Sequence, residues 1–375
     1  MKVVVSGTIG RSPLGGRVWI EMNYLAGLCA LGHDVWYLEE CGDESWVWHW
    51  DEGELSNDID YAGGFVRDAL TPLGLSDRWI YRAGDSAAGM SLEDFGEVCT
   101  EADVLLIRAV PLARWRPEYL EAASRVFIDA DPGFTQFKLA KGDRALAETV
   151  ANCERLFTVG QRIGEPDCEV PTCGRLWEHT LPPVHLPLWP SCPAPVDGPF
   201  TSVLQWRGYG EVEYAGRRYG DKNGQFEAFR DVPRRSPASF QMAVMGAGAD
   251  ELTAQGWDVV SGWDVARTPE DYQRFIAASR AEFSLAKHVY VATRGGWFSD
   301  RSACYLATGR PVLVSDTGLD WLGGAPGVLP FTTPDEAVAA VAEVQEDFDR
   351  HAVGARWLAE QRFAAERVLP ELVGS

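Results

Sequence analysis

Short apolar segments rich in valine, leucine and isoleucine alternate with helix-like segments along most of this chain. The first is KVVVSG at residues 2–7, and a glycine-containing loop then leads to an apolar-periodic, helix-like segment at 18–31. A second strand is predicted at 32–40. Strands that are apolar on both faces belong to parallel sheets that helices cover on both sides. The pattern therefore predicts a doubly wound α/β fold.

The pattern is interrupted once and then restarts. Residues 181–200 contain seven prolines, a density that no helix or strand tolerates, so we interpret this segment as a linker. The strands predicted before it also include 102–108, 125–131 and 154–160. The elements predicted after it are strands at 201–208, 239–246, 257–262, 281–287, 311–315 and 327–331 and helices at 223–231, 268–280 and 299–308. The end of the chain, 333–370, is predicted to be helical.

The length of 375 residues agrees with two domains, since ordinary domains hold about 100–200 residues. We predict an N-terminal domain at 1–185, a Pro-rich linker at 186–200, a C-terminal domain at 201–350 and a C-terminal helical segment at 351–375. The predicted fold class is α/β, with two Rossmann-like parallel-sheet domains that face each other across a cleft.

The formal net charge of −21 argues against a nucleic-acid or anionic-membrane partner, because either would require a basic surface. The N-terminus lacks the apolar core of a signal peptide, and no apolar run approaches the roughly 20 residues of a membrane span. We expect a cytoplasmic protein whose eight scattered cysteines are reduced. A zinc site from Cys168, Cys173, His179 and His185 is a minor alternative, because this spacing lacks tight ligand pairs.

The stretch TRGGWFSDRSACYLATGRPVLVSDTG is typical of a helix N-terminus that receives an anion. Its two adjacent glycines let the backbone approach a ligand, and a serine follows as a natural N-cap. The first helical turn offers unpaired N–H groups and a partial positive charge to a phosphate. An ordinary capped helix is the alternative interpretation. The candidate phosphate contacts in this stretch are Gly295, Gly296, Ser299, Arg301 and Ser302.

Two cations lie near a strand end at the start of the C-terminal domain. Arg207 ends the predicted strand at 201–208, and Lys222 precedes the predicted helix at 223–231. Arginine binds phosphate through its fork of donors and lysine as a point charge, so the two together suit a diphosphate. Each alone is more simply a solvated surface charge. Basic and donor groups at successive strand ends of one sheet favour a ligand site.

These motifs resemble those of the GT-B glycosyltransferases. The sequence WRG…YGDKNGQFEAF resembles the arginine and the helix entry that open the donor domain of that superfamily, and GGWFSDRSACYLATGRPVLVSDTG is similar to its donor loop. The loop SGTIG…GG followed by LGHDVWYLEE is similar to the start of its acceptor domain. The resemblance implies the GT-B fold and the transfer of a sugar from a nucleotide-diphosphosugar, a co-substrate, to an acceptor.

The resemblance also implies roles for individual residues. Arg207 and Lys222 would bind the diphosphate. The candidate phosphate contacts of the 293–318 stretch would bind it as well. Many retaining members carry paired glutamates here, but this chain has Cys304 at one position and a glycine at the other, so a standard contact to the donor ribose is missing. No D-x-D pair is placed for a metal, so we expect a metal-independent enzyme without a cofactor.

An acceptor hydroxyl needs a group that takes its proton if the reaction inverts the sugar. Asp129 and Asp131 follow a predicted strand of the N-terminal domain and are the first candidates for a catalytic base. An Asx-turn or a helix cap is an equally good interpretation of an aspartate before Pro-Gly. His49 is the second candidate, although a packed histidine is the simpler interpretation in so aromatic a loop.

Several further residues are candidates for contacts with the sugar or the acceptor. Alternation places the tryptophans 46, 48 and 50 on one face of an extended segment, where they either stack on a ligand or cover the core. The other candidates are Gly15, Gly16, Lys287 and Trp297.

Three other functions remain open from the sequence. A nucleotide-sugar epimerase and a catalytically silent binding protein share the same fold. An NAD(P)-dependent oxidoreductase is suggested by the glycine-containing first loop and by Glu39, which ends the next strand where a ribose-binding acid belongs. That loop lacks G-x-G-x-x-G and is too long before its helix. A nucleotide-sugar glycosyltransferase is the function that the sequence favours.

Overall fold

The protein is described by a computed structural model that covers residues 1–206, 210–220 and 223–374. It contains two α/β domains, each built around a sheet that helices cover on both faces. The doubly wound prediction is confirmed. Arg207 and Lys222 lie outside the described residues.

Strands that are buried on both faces build the N-terminal sheet, as the apolar runs of the sequence predict. The strands of this half are β1 (Lys2–Ser6), β2 (Asp34–Glu40), β3 (Val47–His49), β4 (Glu54–Ser56), β5 (Trp79–Ala83), β6 (Ser86–Gly89), β7 (Val104–Arg108), β8 (Ser124–Asp129), β9 (Arg155–Thr158) and β10 (Glu178–His179). Its helices are α1 (Gly15–Ala30), α2 (Ile59–Leu70), α3 (Leu92–Thr100), α4 (Pro117–Leu120), α5 (Phe134–Ala140) and α6 (Arg144–Asn152).

The strand order of this sheet is β10-β9-β8-β7-β1-β2-β5-β6, and all of its pairs are parallel except β5 with β6. The antiparallel β5–β6 edge is absent from the sequence prediction. Strands β3 and β4 form a separate hairpin after β2. Because parallel strands end at the same edge, the loops after β1, β7, β8 and β9 lie together.

The C-terminal sheet is wholly parallel, with the order β15-β14-β11-β16-β17-β18. The strands of this half are β11 (Phe200–Gln205), β12 (Val212–Tyr214), β13 (Arg217–Tyr219), β14 (Phe240–Met245), β15 (Asp258–Ser261), β16 (Ala281–Ser284), β17 (Val312–Ser315) and β18 (Val328–Phe331). Its helices are α7 (Asn223–Ala228), α8 (Val232–Arg235), α9 (Ala249–Gln255), α10 (Gly262–Val265), α11 (Pro269–Ala277), α12 (His288–Thr293), α13 (Asp300–Ala307), α14 (Pro334–Glu346), α15 (Phe348–Leu358) and α16 (Ala365–Val373).

Strands β12 and β13 form an antiparallel hairpin outside the C-terminal sheet. Its two turn residues, Ala215 and Gly216, both have positive φ values, of 50° and 75°. Such a pair matches the right-handed twist of a two-residue hairpin turn, and glycine adopts it without strain. The sequence interpretation gave no structure to this segment.

The last part of the chain returns to the N-terminal domain. The helical end predicted at 333–370 is confirmed, and it is divided into separate helices at Asp347 and again at Ala364, whose backbone is extended. The last helix, α16, packs against α1. Gly27 of α1 allows this close contact, because a Cβ at that position would meet Leu369 and Ala365.

His351 on α15 is buried, and burial lowers the pKa of its imidazole, as does the nearby Arg350, while Glu343 and Asp347 oppose the shift. The unfolded chain therefore binds this proton more readily than the folded chain does, and the stability that the neutral ring contributes is lost as the pH falls below about 6.5. We expect the free energy of unfolding to decrease less between pH 7 and pH 5 in His351→Gln than in the wild type. Urea titrations at both pH values test this, and equal decreases in the two proteins would contradict it.

Candidate functional site

Residues that follow the carboxyl ends of β8 and β16, the ends at which ligands bind in open α/β folds, meet between the two domains. Asp131 follows β8 of the N-terminal domain, and Lys287 follows β16 of the C-terminal domain. The Asp131 carboxylate accepts a hydrogen bond from the Tyr290 hydroxyl at 2.5 Å and pairs with the Lys287 ammonium at 3.4 Å. Both partners come from the opposite domain. The sequence candidates Asp131 and Lys287 are thus brought together in the cleft.

Asp129 does not face the cleft. Its carboxylate is fully buried and accepts hydrogen bonds from the Thr135 and Thr158 hydroxyls, the Gln136 amide and the Asp131 backbone N–H. Burial raises the pKa of Asp129, against the hydrogen bonds that lower it. Because both of its oxygens accept hydrogen bonds inside the domain, Asp129 orders the turn that carries Asp131. Its assignment as a base is therefore corrected to a structural role.

A cavity of about 260 Å³ lies beside Asp131 in the N-terminal domain. One wall is polar, with Asp131, Thr135, Lys138 and Asp143, and the rest is apolar. Ala109, at the end of β7, also lines it and has a φ of 60°, which is uncommon for a residue with a Cβ. Strained backbone of this kind concentrates at functional sites. The sequence gave no signal for this cavity, because its walls come from separate segments.

The helix predicted after the glycine pair is α13, and its N-terminus borders a small cavity at the ends of β16 and β17. The cavity holds about 10 Å³, and its walls include Trp297, Ser299, Ser302 and Thr317. Ser302 is only 1% exposed, and its hydroxyl has no hydrogen-bond partner among the described residues. Ser299 is the N-cap residue, and its hydroxyl makes no capping bond to the helix backbone. These two sequence candidates therefore face the cavity at a helix N-terminus.

Arg301 does not line this cavity. Its guanidinium donates to Glu282 at 2.6 Å, to the Val203 carbonyl at 2.8 Å and to the Ser284 hydroxyl at 2.6 Å. Burial acts to lower the pKa of Arg301, but the charge of Glu282 raises it above its usual value. The side chain is the partner of a buried carboxylate, so its predicted contact with a diphosphate is corrected.

Gly295 and Gly296 contact the other domain through their carbonyl groups. The Gly295 carbonyl accepts from the Arg162 backbone N–H at 3.0 Å, and the Gly296 carbonyl accepts from that of Gln161 at 3.5 Å. The Gly296 N–H donates to the Thr317 carbonyl. In this arrangement the glycine turn meets the N-terminal domain, which differs from the expectation that its backbone faces a diphosphate.

Gly15 and Gly16 also lie between the domains. The Gly15 N–H donates to the Ala266 carbonyl at 2.7 Å, and a Cβ at residue 15 would overlap the Thr268 carbonyl. A Cβ on Gly16 would meet the Tyr272 ring. These glycines allow α1 to approach α11, so in this structure they contact protein rather than an open sugar or acceptor site.

The remaining aromatic candidates have separate positions. Trp297 stacks on Tyr290 with centroids 4.1 Å apart. His49 stacks on Tyr61, and its Nδ1 accepts from the Glu52 N–H, so it stabilises the β3–β4 hairpin. Trp46 and Trp48 are 52% and 41% exposed, and the core-covering interpretation of these two is wrong.

Glu39 is occupied by the first loop. It is fully buried and accepts hydrogen bonds from the backbone N–H groups of Gly10 and Arg11 and from the Tyr37 hydroxyl. The Arg11 side chain donates to it as well. A ribose-binding acid needs a free carboxylate, so this geometry does not support the dinucleotide interpretation.

A buried ion pair at the end of β7 was missed by the sequence interpretation. Arg108 makes a bidentate contact with Glu21 of α1, and both side chains are almost fully buried. The signal in the sequence was a lone arginine at a strand end, but its partner lies 87 residues away.

Cys304, at the position where many retaining enzymes have a glutamate, is buried, and the Asn23 amide lies 3.9 Å from its sulfur.

No group of three or more histidine, cysteine or acidic side chains in the described parts of the chain is placed to hold a metal ion. The alternative zinc ligands are not assembled: His179 contacts the Ile163 carbonyl, and Cys173 contacts that of Gln136. Among the described helices, none has the length and apolar surface needed to cross a bilayer.

Two Rossmann-like domains that face each other across a cleft, with the last helix packed on the first domain, constitute the GT-B fold. The structure is similar to that of an alpha-glucosyltransferase in complex with UDP, with a TM-score of 0.63 and 11% identity over 100% of this chain and 99% of the other. It is also similar to HepE from Anabaena in complex with UDP and glucose, with a TM-score of 0.59 and 12% identity over 100% of both chains.

A third similar structure is the sucrose-phosphate synthase from Thermosynechococcus elongatus, with a TM-score of 0.53 and 11% identity over 99% of this chain and 97% of that one. No family model matches the sequence, and no curated protein matches it. At these identities the similarity establishes the GT-B fold of this chain.

Proposed function

We propose that this protein is a glycosyltransferase that uses a nucleotide-diphosphosugar as donor. The observation that carries the proposal is the Ser302 hydroxyl, which is buried, lacks a partner among the described residues and faces the cavity at the N-terminus of α13. Helix N-termini bind phosphate through their N–H groups and dipole, and a hydroxyl adds a further donor. The diphosphate would therefore lie against Ser299 and Ser302.

UDP is the first nucleotide to test, because the alpha-glucosyltransferase and HepE structures contain it. Arg207 and Lys222 remain the proposed cations for the diphosphate on the basis of the sequence. A metal-independent reaction is part of this proposal, since these cations and the α13 dipole would neutralise the leaving group. A small-molecule acceptor would bind against the N-terminal domain.

Asp131 is the proposed general base, because it lies in the cleft and lines the cavity of the N-terminal domain. The acceptor oxygen would attack the anomeric carbon as the bond from that carbon to the diphosphate oxygen breaks. The acceptor proton would pass to Asp131, and the nucleoside diphosphate would leave with the bonding electrons. This assignment corresponds to inversion at the anomeric carbon.

A catalytically silent nucleotide-binding protein is the second candidate. It is favoured by Cys304 at a position where many retaining enzymes carry glutamate, and by the engagement of Arg301 inside the protein. Incubation with UDP-glucose and other UDP-sugars, with detection of released UDP, separates the two functions. Binding without turnover across a broad panel of acceptors would favour the silent protein.

Ser302→Ala is expected to weaken UDP binding by about 1.5 kcal/mol, roughly tenfold, because hydrogen bonds to charged groups contribute this much. The free energy of unfolding should not decrease, since the hydroxyl has no partner in the described part of the free protein and its burial costs free energy. Calorimetric titration with UDP and urea unfolding measure the two quantities. Ser124→Ala is the control, because Ser124 is the first residue of β8 and lies at the end of that strand away from Asp131. Unchanged UDP affinity in Ser302→Ala would count against the proposed donor site.

A further inference from the structure

The described part of the proposed donor site, beside Ser302, is almost filled by protein. The cavity beside Ser302 has a volume of about 10 Å³, which is close to that of a single water molecule and much smaller than a diphosphate. One wall belongs to the segment after Gly296, and the N-terminal domain holds that glycine turn through the backbone N–H groups of Gln161 and Arg162. A diphosphate therefore fits beside Ser302 only if this wall moves away, and the contacts of Gln161 and Arg162 hold the wall in place.

A separate aromatic cluster joins the two domains. At its centre is Phe137 of α5, which is fully buried and stacks on Tyr214 with centroids 4.5 Å apart and an angle of 15° between the rings. Tyr219 lies 5.0 Å from the same ring. Both tyrosines belong to the β12–β13 hairpin of the C-terminal domain, so this hairpin reaches across and holds α5 of the N-terminal domain.

Helix α12 holds α5 from a second side. Tyr290 packs its ring edge-on against Phe134, and its hydroxyl donates to Asp131. Val289 packs against the turn before α5, where a Cβ on Gly133 would lie only 3.0 Å from it. These residues form one hydrophobic cluster that draws from both domains and is distinct from the cores of the two sheets. We call the cluster of Phe134, Phe137, Tyr214, Tyr219, Val289 and Tyr290 the α5 clasp.

A charged contact at the hairpin tip acts in the same direction. Arg217 of β13 pairs with Glu169 of the N-terminal domain at 2.5 Å. Within the described residues, its neighbour Arg218 pairs with acidic residues of its own hairpin segment, Glu211 and Glu213, at 3.9 and 4.0 Å. The Arg217–Glu169 pair thus adds a charged interdomain contact to the aromatic contacts of the hairpin.

We propose that the α5 clasp holds the free protein closed, and that a nucleotide reaches the donor site only after the clasp releases. The proposal concerns access to the site of the proposed function and rests on that function for the identity of the ligand. Tyr290 belongs to the clasp and also holds Asp131, so closure and the positioning of this carboxylate are one event. The apparent nucleotide affinity is the affinity of the open form multiplied by the fraction of molecules that are open, so the clasp lowers it.

The test compares domain arrangement and UDP affinity in clasp variants. Tyr214→Ala removes one stacked ring from a half-buried position, and Arg217→Glu replaces the interdomain ion pair by repulsion. Small-angle X-ray scattering without ligand should show a larger radius of gyration for both variants than for the wild type. Calorimetry should show UDP binding that is about tenfold tighter in Tyr214→Ala, because more molecules are already open.

Arg218→Glu is the matched control, with the same change of charge on the same strand and no contact with the N-terminal domain among the described residues. It should match the wild type in both measurements. Scattering curves of Tyr214→Ala and Arg217→Glu that superimpose on the wild-type curve, or UDP binding that is equal or weaker in Tyr214→Ala, would overturn the proposal. If the two variants open but neither they nor the wild type bind UDP, the clasp proposal stands and the proposed function is rejected.

Discussion

Arg301→Leu is expected to lower the free energy of unfolding by about 3–5 kcal/mol, because it leaves Glu282 as a buried carboxylate without its partner. Glu282 is fully buried, and only one of its oxygens has a hydrogen-bond partner in the described structure, namely the Arg301 guanidinium. The substitution also leaves the Val203 carbonyl and the Ser284 hydroxyl without this donor. Urea unfolding followed by far-UV circular dichroism measures the change.

Two further variants give this prediction its controls. Arg301→Leu combined with Glu282→Leu should recover much of the loss, because replacing both members of a buried pair by apolar residues is often neutral. Arg294→Leu removes a more exposed pair with Asp316 and should cost about 1 kcal/mol or less. A loss below 1 kcal/mol in Arg301→Leu, with weaker UDP binding, would return Arg301 to the role that the sequence suggested.

Gly15→Ala is expected to separate the two domains while the N-terminal domain remains folded. Within a helix alanine is more favourable than glycine by about 0.5–1 kcal/mol, so α1 itself should not suffer. A Cβ at residue 15 would, however, overlap the Thr268 carbonyl of the C-terminal domain. Small-angle scattering should show a larger radius of gyration, and the far-UV circular dichroism should be unchanged.

Gly96→Ala is the matched control for this prediction. Gly96 lies in α3, and a Cβ there would have no atom within 4 Å apart from its own helix and chain neighbours. Its scattering curve should match that of the wild type. If the scattering curve of Gly15→Ala also matched that of the wild type, the loop between α10 and α11 would have to shift locally to make room for the Cβ. The close contact at residue 15 would then not control the distance between the domains.

The elements that the sequence predicted best are the central strands. Their apolar runs are long enough to be recognised locally, and β1, β7, β8, β11, β14 and β17 all lie within one to three residues of the prediction. The β5–β6 edge and the β12–β13 hairpin were missed. Strand β6 and the hairpin carry weak patterns, because much of their surface is exposed. Strand β5 is buried throughout but spans only five residues.

The candidate site was predicted in part. Ser299 and Ser302 lie where the helix N-terminus was expected, because an N-cap and a first turn are defined by local sequence. Asp131 and Lys287 were named as separate candidates, and the structure places them in contact across 156 residues. Arg301 looked like a phosphate ligand because its neighbours in sequence are donors, but its neighbours in space include Glu282.

The sequence by itself determined the fold class, the division into two α/β units and the edge of each sheet at which a ligand would bind. Hydrophobic periodicity is a local property, and parallel strands bring their carboxyl ends together whatever the loops contain. Only the tertiary structure decided which charged side chains face the cleft and which form buried ion pairs inside the domains. A buried arginine is directed by the carboxylate it must neutralise, and that carboxylate lies on a strand that the local pattern does not connect to it.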